Sequence, residues 1–164
     1  MLTLRSIIEK LGNKNDEIRN NVITMLSQFG EAALMPLLEA LNDEELSIRF
    51  YTISILGTIP SKPAIESLLI ALKDSHSDIR YIAASALGST GDARAIDGLV
   101  IALKDNETSV RFHSAEALGK IGDERAIAAL QELVQNQELK GKASRETRRI
   151  AKKAIEQIQQ RQNY

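Results

Sequence analysis

The chain contains no cysteine and no tryptophan, and it is poor in proline and in aromatic residues. Without cysteine, its 164 residues cannot form a disulfide framework, a thiolate nucleophile or a zinc-thiolate site. Aromatic residues make up only 4% of a chain that is 43% hydrophobic, so its core must consist of Leu, Ile, Val and Ala. No apolar run approaches the roughly 18 residues that a membrane-spanning helix requires.

The chain also has no large excess of positive or negative charge, since 21 Lys or Arg and 22 Asp or Glu give a formal net charge of −1. A balance this close to zero creates no overall field that would select nucleic acid or an anionic membrane. The charge is uneven, however, since eight Lys or Arg and only three Glu lie from residue 137 onward. The opening segment, MLTLRSIIEKLG, has charges within its apolar stretch and no small-residue cleavage site. We therefore expect no signal peptide and a cytoplasmic location.

What the chain does contain is an internal repeat of 31 residues. Residues 64–96 read AIESLLIALKDSHSDIRYIAASALGSTGDARAI, and residues 95–127 read AIDGLVIALKDNETSVRFHSAEALGKIGDERAI. A third copy begins at Ala126. Self-similarity at this period predicts one supersecondary unit that is stacked on copies of itself.

Each repeat has the pattern of two short helices. In the unit from residue 92 to 122, Asp92 follows Gly91 and is a candidate N-cap. Apolar residues then recur at helical spacing over 94–104 and, after a polar turn, over 109–120. Two helices of this length cannot bury their apolar faces alone, so neighbouring repeats must cover them.

One arginine marks the repeat along the whole chain, at positions Arg19, Arg49, Arg80, Arg111 and Arg148. A Leu or Ile follows each arginine by seven residues, and we predict that Leu87 and Leu118 in this series are fully buried. The sequence therefore predicts an all-α solenoid of about five antiparallel helix pairs in a single domain, 1–164. The expected pairs cover about 3–28, 32–58, 63–89, 94–120 and 125–160, with an insertion at about 138–143.

The repeat resembles the short HEAT repeat of the phycobilisome-lyase type. The residues that carry the resemblance read IRxxAAxALGxxGDxRAIxxLxxALKD at Ile79–Asp105 and recur from Val110. The resemblance implies a right-handed α-solenoid whose second helices line the concave side, and frequent roles as adaptors or subunits of larger assemblies. Members named for this family attach or detach open-chain tetrapyrroles on phycobiliproteins, and one related group consists of di-iron hydroxylases.

Three of the arginines follow an aspartate by six residues. Resemblance to HEAT repeats implies that these side chains form a ladder that ties loop to helix within and between repeats, and direct ligand contact is the alternative. Asn13 and Asn136 replace the acid in the first and last repeats, so we expect the ladder to stop before Arg148. The proposed ladder residues are Asp43, Arg49, Asp74, Arg80, Asp105 and Arg111.

An aromatic residue follows the same three arginines, at Phe50, Tyr81 and Phe112. A step of about 100° per residue places Tyr81 almost opposite the core face of its helix. We predict that the rings line the concave groove with substantial exposure, and that serine in place of Tyr81 and Phe112 leaves folding nearly intact. In the alternative, the rings fold sideways and seal adjacent second helices. The full set predicted for the groove is Phe50, Tyr51, Tyr81, Ile82, Phe112, His113, Glu116, Arg149 and Lys153.

The sequence offers no catalytic or metal-binding constellation. It has no nucleophile–base pair and no Gly-rich phosphate loop. Serine follows both His76 and His113, whereas the di-iron hydroxylases of this repeat class use His-Glu dipeptides. The basic C-terminal cluster is interpreted as a solvated cap rather than a phosphate clamp. We therefore predict no catalytic residue, no metal and no cofactor, and groove aromatics without a basic lining argue against nucleic acid.

Two functions remain open. The first is a non-enzymatic scaffold or adaptor that binds a segment of a partner protein in its groove. The alternative is a subunit or relative of a phycobilin lyase, which binds a bilin (an open-chain tetrapyrrole) or a phycobiliprotein. In that case Arg149 or Lys153 would face propionate groups, and Glu116 would face the pyrrole nitrogens.

Overall fold

The structure is a computed structural model that describes residues 3–136 and 140–162. All of the regular secondary structure in these two ranges is helical. The α-helices are α1 Leu4–Ile8, α2 Asp16–Phe29, α3 Leu34–Ala40, α4 Leu46–Leu56, α5 Lys62–Ala71, α6 Ser77–Thr90, α7 Ile96–Ala102, α8 Thr108–Ile121, α9 Ile127–Gln135 and α10 Lys142–Gln162. Short 3₁₀ turns continue α1 over Glu9–Gly12 and precede α3, α7 and α9 over Gly30–Ala33, Ala93–Ala95 and Glu124–Ala126.

The repeated Gly-Asp pair sets the boundaries between repeats. Gly91 and Gly122 end α6 and α8 with φ of +66° and +79°, a backbone conformation that favours glycine. The carboxylates of Asp92 and Asp123 then accept hydrogen bonds from the N–H groups of Arg94 and Arg125, at 2.8 and 2.9 Å. These contacts satisfy backbone donors at the start of the next helix, so each boundary is fixed by local chemistry.

The boundary before α5 uses different residues for the same purpose. Ser61 caps the helix by accepting from the N–H of Ala64 at 3.3 Å, and Pro63 lies in the first turn. Proline is compatible with that position because its missing N–H would have no partner inside the helix. A turn without glycine therefore still begins a new helix pair.

The second helices of the repeats pack closely on one another through small residues. A Cβ atom added to Gly88 would lie 2.7 Å from the Cα of Ala117, and one on Gly57 would lie 2.9 Å from the Cα of Ala86. The first helices are farther apart, since α5 and α7 approach each other mainly through long side chains such as Leu69, whose end lies against Gly98. The layer of second helices is therefore the more closely packed of the two layers.

The core runs between the two layers and is aliphatic throughout. Leu87 and Leu118 are both fully buried, which confirms the phase predicted for the second helices. The predicted all-α solenoid is confirmed, and each helical segment begins and ends within two residues of the expected limits. Residues 138 and 139 of the expected insertion lie outside the described residues. No helix in the described ranges has the length and apolar content needed to cross a bilayer.

Candidate binding groove

A row of rings crosses three consecutive second helices. The ring of Tyr51 lies 5.2 Å from that of Phe50 on α4, and Phe50 lies 5.8 Å from Tyr81 on α6, both edge-to-face. Tyr81 stacks on His113 of α8 at 5.2 Å, and His113 meets Phe112 at 5.3 Å. We call these five residues the ring row. The distances lie within the favourable range for aromatic pairs, so the row is continuous.

The members of the ring row are half-buried, and the prediction that Phe50, Tyr81 and Phe112 are substantially exposed is wrong. Each ring lies along the surface of the helix layer and contacts a ring in its own or the adjacent repeat. Such contacts remove apolar area from water, which a ring that pointed straight into solvent would not do. The sideways arrangement given as the alternative is therefore present, although every ring keeps part of its surface accessible. Ile82, also predicted for the groove, is half-buried against the core.

A residue that was not predicted for the groove extends the ring row at its N-terminal end. The guanidinium carbon of Arg19 lies 4.8 Å from the ring centroid of Tyr51, in a cation–π contact. The sequence places Arg19 only in the arginine series, because aligning the repeats does not show that it faces a tyrosine in the next one. Its side chain also contacts Asp16 and donates to the carbonyl oxygen of Asn13 at 2.8 Å.

His113 has the most unusual environment in the ring row. Its Nδ1 atom is buried without a hydrogen-bond partner, and the nearest carboxylate oxygen, Oε2 of Glu116, lies 3.7 Å away. Burial lowers the pKa of His113, and the attraction of Glu116 only partly opposes that effect. Glu116 also pairs with Lys120 at 3.4 Å. Burial of the ring thus disfavours its protonated form.

The two basic residues predicted for the groove lie on α10 and are exposed. Arg149 pairs with Glu146 of its own helix, with Nη2–Oε1 at 2.5 Å. This hydrogen bond raises the pKa of Arg149 and lowers that of Glu146. Neither Arg149 nor Lys153 is a member of the ring row, so the structure does not join the whole predicted set.

The arginine ladder binds loop to helix chiefly through backbone carbonyl groups, and one Arg–Asp pair, Arg80 with Asp105, joins consecutive repeats. Arg19, Arg49, Arg80 and Arg111 each donate from Nη1 to the carbonyl oxygen six residues earlier, at 2.6 to 2.9 Å. Arg148 makes the same kind of bond to the carbonyl oxygen of Asn136 at 3.0 Å, so the backbone bonds of the series continue into the last repeat. A carbonyl acceptor is available whichever side chain stands there, which explains why asparagine does not end the series.

The carboxylates of the ladder are used in two ways. Asp43, Asp74 and Asp105 each accept from the backbone N–H two residues later, at 2.7 to 2.9 Å. Asp105 also binds the guanidinium of Arg80 from the preceding repeat. By contrast, the Nε atoms of Arg49 and Arg111 are buried without a hydrogen-bond partner.

Clefts lie beside these two arginines. The cleft beside Arg49 has a volume of about 530 Å³ and includes Ile53, Leu69 and Ile79, and that beside Arg111 has about 230 Å³. Neither cleft includes a member of the ring row, so they are separate from the groove. Within the described ranges, no three His, Asp or Glu side chains come together in a way that could hold a metal ion.

The helix pairs stack through Gly–Ala contacts, and one arginine in each repeat binds its own loop. These features define an α-solenoid of short helical repeats. The chain belongs to the HEAT-repeat family, whose profile matches residues 4–80, 34–108 and 65–143. A search of curated proteins finds no match.

Solved structures with the same fold come from natural and designed proteins. A chain from the complex of CpcE and CpcF of phycocyanin lyase from Nostoc sp. PCC7120 is 23% identical, with a TM-score of 0.78 over 91% of this chain and 97% of that one. Human deoxyhypusine hydroxylase is 22% identical, with a TM-score of 0.65 over 93% of this chain and 62% of that one. A designed armadillo repeat protein in complex with the peptide (KR)4 is 15% identical, with a TM-score of 0.58 over 93% and 81%.

Proposed function

We propose that this chain is a non-enzymatic interaction module that holds a segment of a partner protein along the ring row. The observation that carries the proposal is the continuity of the row, in which half-buried rings follow one another across α4, α6 and α8. Clustered aromatic residues with part of their surface accessible are typical of the centre of a protein interface. Because the rings hold one another in place, a ligand would lose little affinity to ordering them.

Charged residues at the C-terminal end of the ring row supply the specificity in this proposal. Glu116 lies beside His113, and Arg149 and Lys153 lie one helix further along, on α10. A bound segment would place apolar side chains over the rings, a basic residue near Glu116 and an acidic residue toward α10. Two of the similar structures support this class of function, since one is a complex of two protein chains and the other contains a bound peptide.

A library of displayed random peptides tests the proposal without requiring that the natural partner be identified first. Peptides selected on the wild-type chain should bind the Tyr81→Ser/Phe112→Ser variant at least tenfold more weakly. The matched control is Ile70→Ser/Ile101→Ser, which removes two exposed apolar side chains from α5 and α7 in the other helix layer. If both double variants lose binding equally, or if neither loses it, the ring row is not the binding surface.

A second variant keeps every ring in place and tests a charge instead. Glu116→Lys reverses one charge beside the ring row, at a side chain that is 39% exposed. Peptides selected on this variant should contain an acidic residue where those selected on the wild type contain a basic one. An unchanged preference would show that Glu116 does not contact the ligand.

A role in bilin chemistry is the second candidate, favoured by the TM-score of 0.78 over almost the whole length of a phycocyanin lyase chain. In that case the stacked pair of Tyr81 and His113 would contact the face of an open-chain tetrapyrrole, and Arg149 or Lys153 would bind its propionates. Free phycocyanobilin mixed with the purified chain would then show a shifted and sharpened visible absorption band. A spectrum identical to that of bilin in buffer would exclude this candidate.

A further inference from the structure

Helix α2 carries three large apolar side chains on its outward face. Ile18, Met25 and Phe29 are 40%, 42% and 46% exposed, although Val22 and Leu26 on the same helix are buried. On a helix with 3.6 residues per turn, positions 18, 25 and 29 fall on one side. We call these three residues the α2 stripe.

The repeat shows what this side of a second helix normally contacts. The residues equivalent to Ile18 in the next three repeats are Ile48, Ile79 and Val110, and all are at most 5% exposed. Those equivalent to Met25 are Ile55, Ala86, Ala117 and Ala154, and all are at most 4% exposed. Ala86 packs on Gly57 and Ala117 on Gly88, each in the second helix of the preceding repeat. The α2 stripe thus consists of stacking residues, and its exposure marks a helix face suited to receive another helix.

The opposite end of the stack is built differently. On α10, Lys152 and Glu156 occupy the positions at which the inner repeats have Ala115 and Gly119, and both side chains are exposed. Charged side chains on the outer face are what a terminal repeat needs to remain hydrated. Stacking the α2 stripe of one molecule on α10 of another would bury these two charges under apolar groups, at a high free-energy cost. Head-to-tail association of copies is therefore disfavoured.

The surroundings of the α2 stripe favour contact with an identical surface. Between Ile18 and Phe29 the helix has a single charged residue, Arg19, which is engaged with Asp16 and the ring of Tyr51. The exposed polar neighbours of the stripe, Asn21, Thr24 and Gln28, are uncharged. Depletion of charge is characteristic of interface cores, and an uncharged face meets its own copy without like-charge repulsion.

We propose that the α2 stripe is the surface through which two copies of this chain associate. The two α2 helices pack antiparallel around a two-fold axis near their middle, so that each stripe covers the other. Such an interface is closed, because it uses the same patch on both molecules and leaves none free for a third. This proposal does not depend on the ring row, which lies on α4, α6 and α8.

Light scattering coupled to size-exclusion chromatography measures the oligomeric state directly. As the protein concentration is raised from micromolar to several hundred micromolar, the wild-type mass should rise to twice 18.1 kDa and then remain constant. Met25→Glu should remain at 18.1 kDa throughout. At the lowest concentration, where the wild type is also monomeric, the two thermal melting curves should coincide, because the Met25 side chain is exposed within one copy. The control is Ile101→Glu, which places the same charge at a side chain that is 69% exposed on α7 and should dimerise like the wild type. A wild type that stays monomeric, a mass that grows beyond the dimer, or a dimeric Met25→Glu would overturn the proposal.

Cross-linking adds a test of which surface is used. Since the chain has no cysteine, Met25→Cys introduces a single thiol per molecule. A short bismaleimide should join two copies of this variant, because packed helices lie about 8–10 Å apart. Ile101→Cys is the control and should give little cross-linked product. Equal yields from the two variants, or a higher yield from Ile101→Cys, would place the contact elsewhere and overturn the proposal.

Discussion

Arg80 and Asp105 belong to consecutive repeats and are joined by two parallel hydrogen bonds. Nε donates to Oδ2 at 2.7 Å and Nη2 donates to Oδ1 at 3.0 Å, with only 13% and 12% of the two side chains exposed. Nη1 of the same guanidinium donates to the carbonyl oxygen of Asp74 in its own repeat at 2.9 Å. Burial would raise the pKa of Asp105, but hydrogen bonds from Arg80 and from the N–H of Glu107 bring it below the usual value. Arg80 therefore connects the loops of two consecutive repeats through a single guanidinium group.

Replacing Arg80 by alanine should lower the free energy of unfolding by about 1–3 kcal/mol, because the half-buried carboxylate of Asp105 loses its charged partner. Arg49→Ala is the matched control, since Arg49 donates to the carbonyl of its own loop but has no carboxylate within ion-pair distance among the described residues. Urea denaturation should show a clearly smaller loss for Arg49→Ala. Equal losses would mean that the bond to the loop carbonyl, and not the ion pair, provides the stability.

Gly88→Ala should destabilise the fold although alanine is the better helix former by about 1 kcal/mol. The added methyl group would lie 2.7 Å from the Cα of Ala117, a backbone atom that cannot turn aside, and such overpacking costs about 1–3 kcal/mol. Gly98→Ala is the control on α7, where the nearest atom is the mobile end of the Leu69 side chain. Thermal melting should fall for Gly88→Ala and stay level or rise for Gly98→Ala, and a rise in both would mean that the second helices can separate.

Tyr81→Ser should cost about 1–3 kcal/mol of stability, because the ring contacts both Phe50 and His113 and each aromatic pair contributes about 0.5–1.5 kcal/mol. This outcome differs from the sequence-based prediction of a nearly neutral change. Phe112 contacts only His113 among the rings, so Phe112→Ser should cost less. Chemical denaturation of the two single variants measures the difference, and equal small losses would contradict the sealing role of Tyr81.

Acidification should weaken the fold through His113. Since burial lowers the pKa of this residue in the folded chain, the unfolded chain binds the proton more readily as the pH falls below the ordinary value of 6.5. The stabilisation is thus present above that pH and is lost as the pH falls toward the lowered pKa. Melting temperatures at neutral and mildly acidic pH should differ more for the wild type than for His113→Gln. The same pH dependence in both proteins would show that His113 is not the group responsible.

The architecture was largely predictable because the period of 31 residues repeats the same local signals. Gly-Asp pairs end one helix and cap the next, and the leucines at positions 87 and 118 mark the buried side of each second helix whatever its neighbours are. These signals act over a few residues, so they can be read from the chain. The same holds for the recurrence of arginine six residues after the loop aspartate, which the structure explains by a hydrogen bond from the arginine to the carbonyl oxygen of that aspartate.

The partners of side chains were decided by tertiary packing. The sequence indicated that Tyr81 lies opposite the core of its own helix, but it could not show that Phe50 and His113 lie within ring contact on either side. Nor did it show that Arg80 binds the aspartate of the following repeat, or that Met25 occupies a stacking position left exposed at the end of the stack. Helix periodicity fixes the direction of a side chain relative to its own axis. The spacing and rotation between repeats, which depend on contacts such as that of Gly88 with Ala117, decide what that side chain meets.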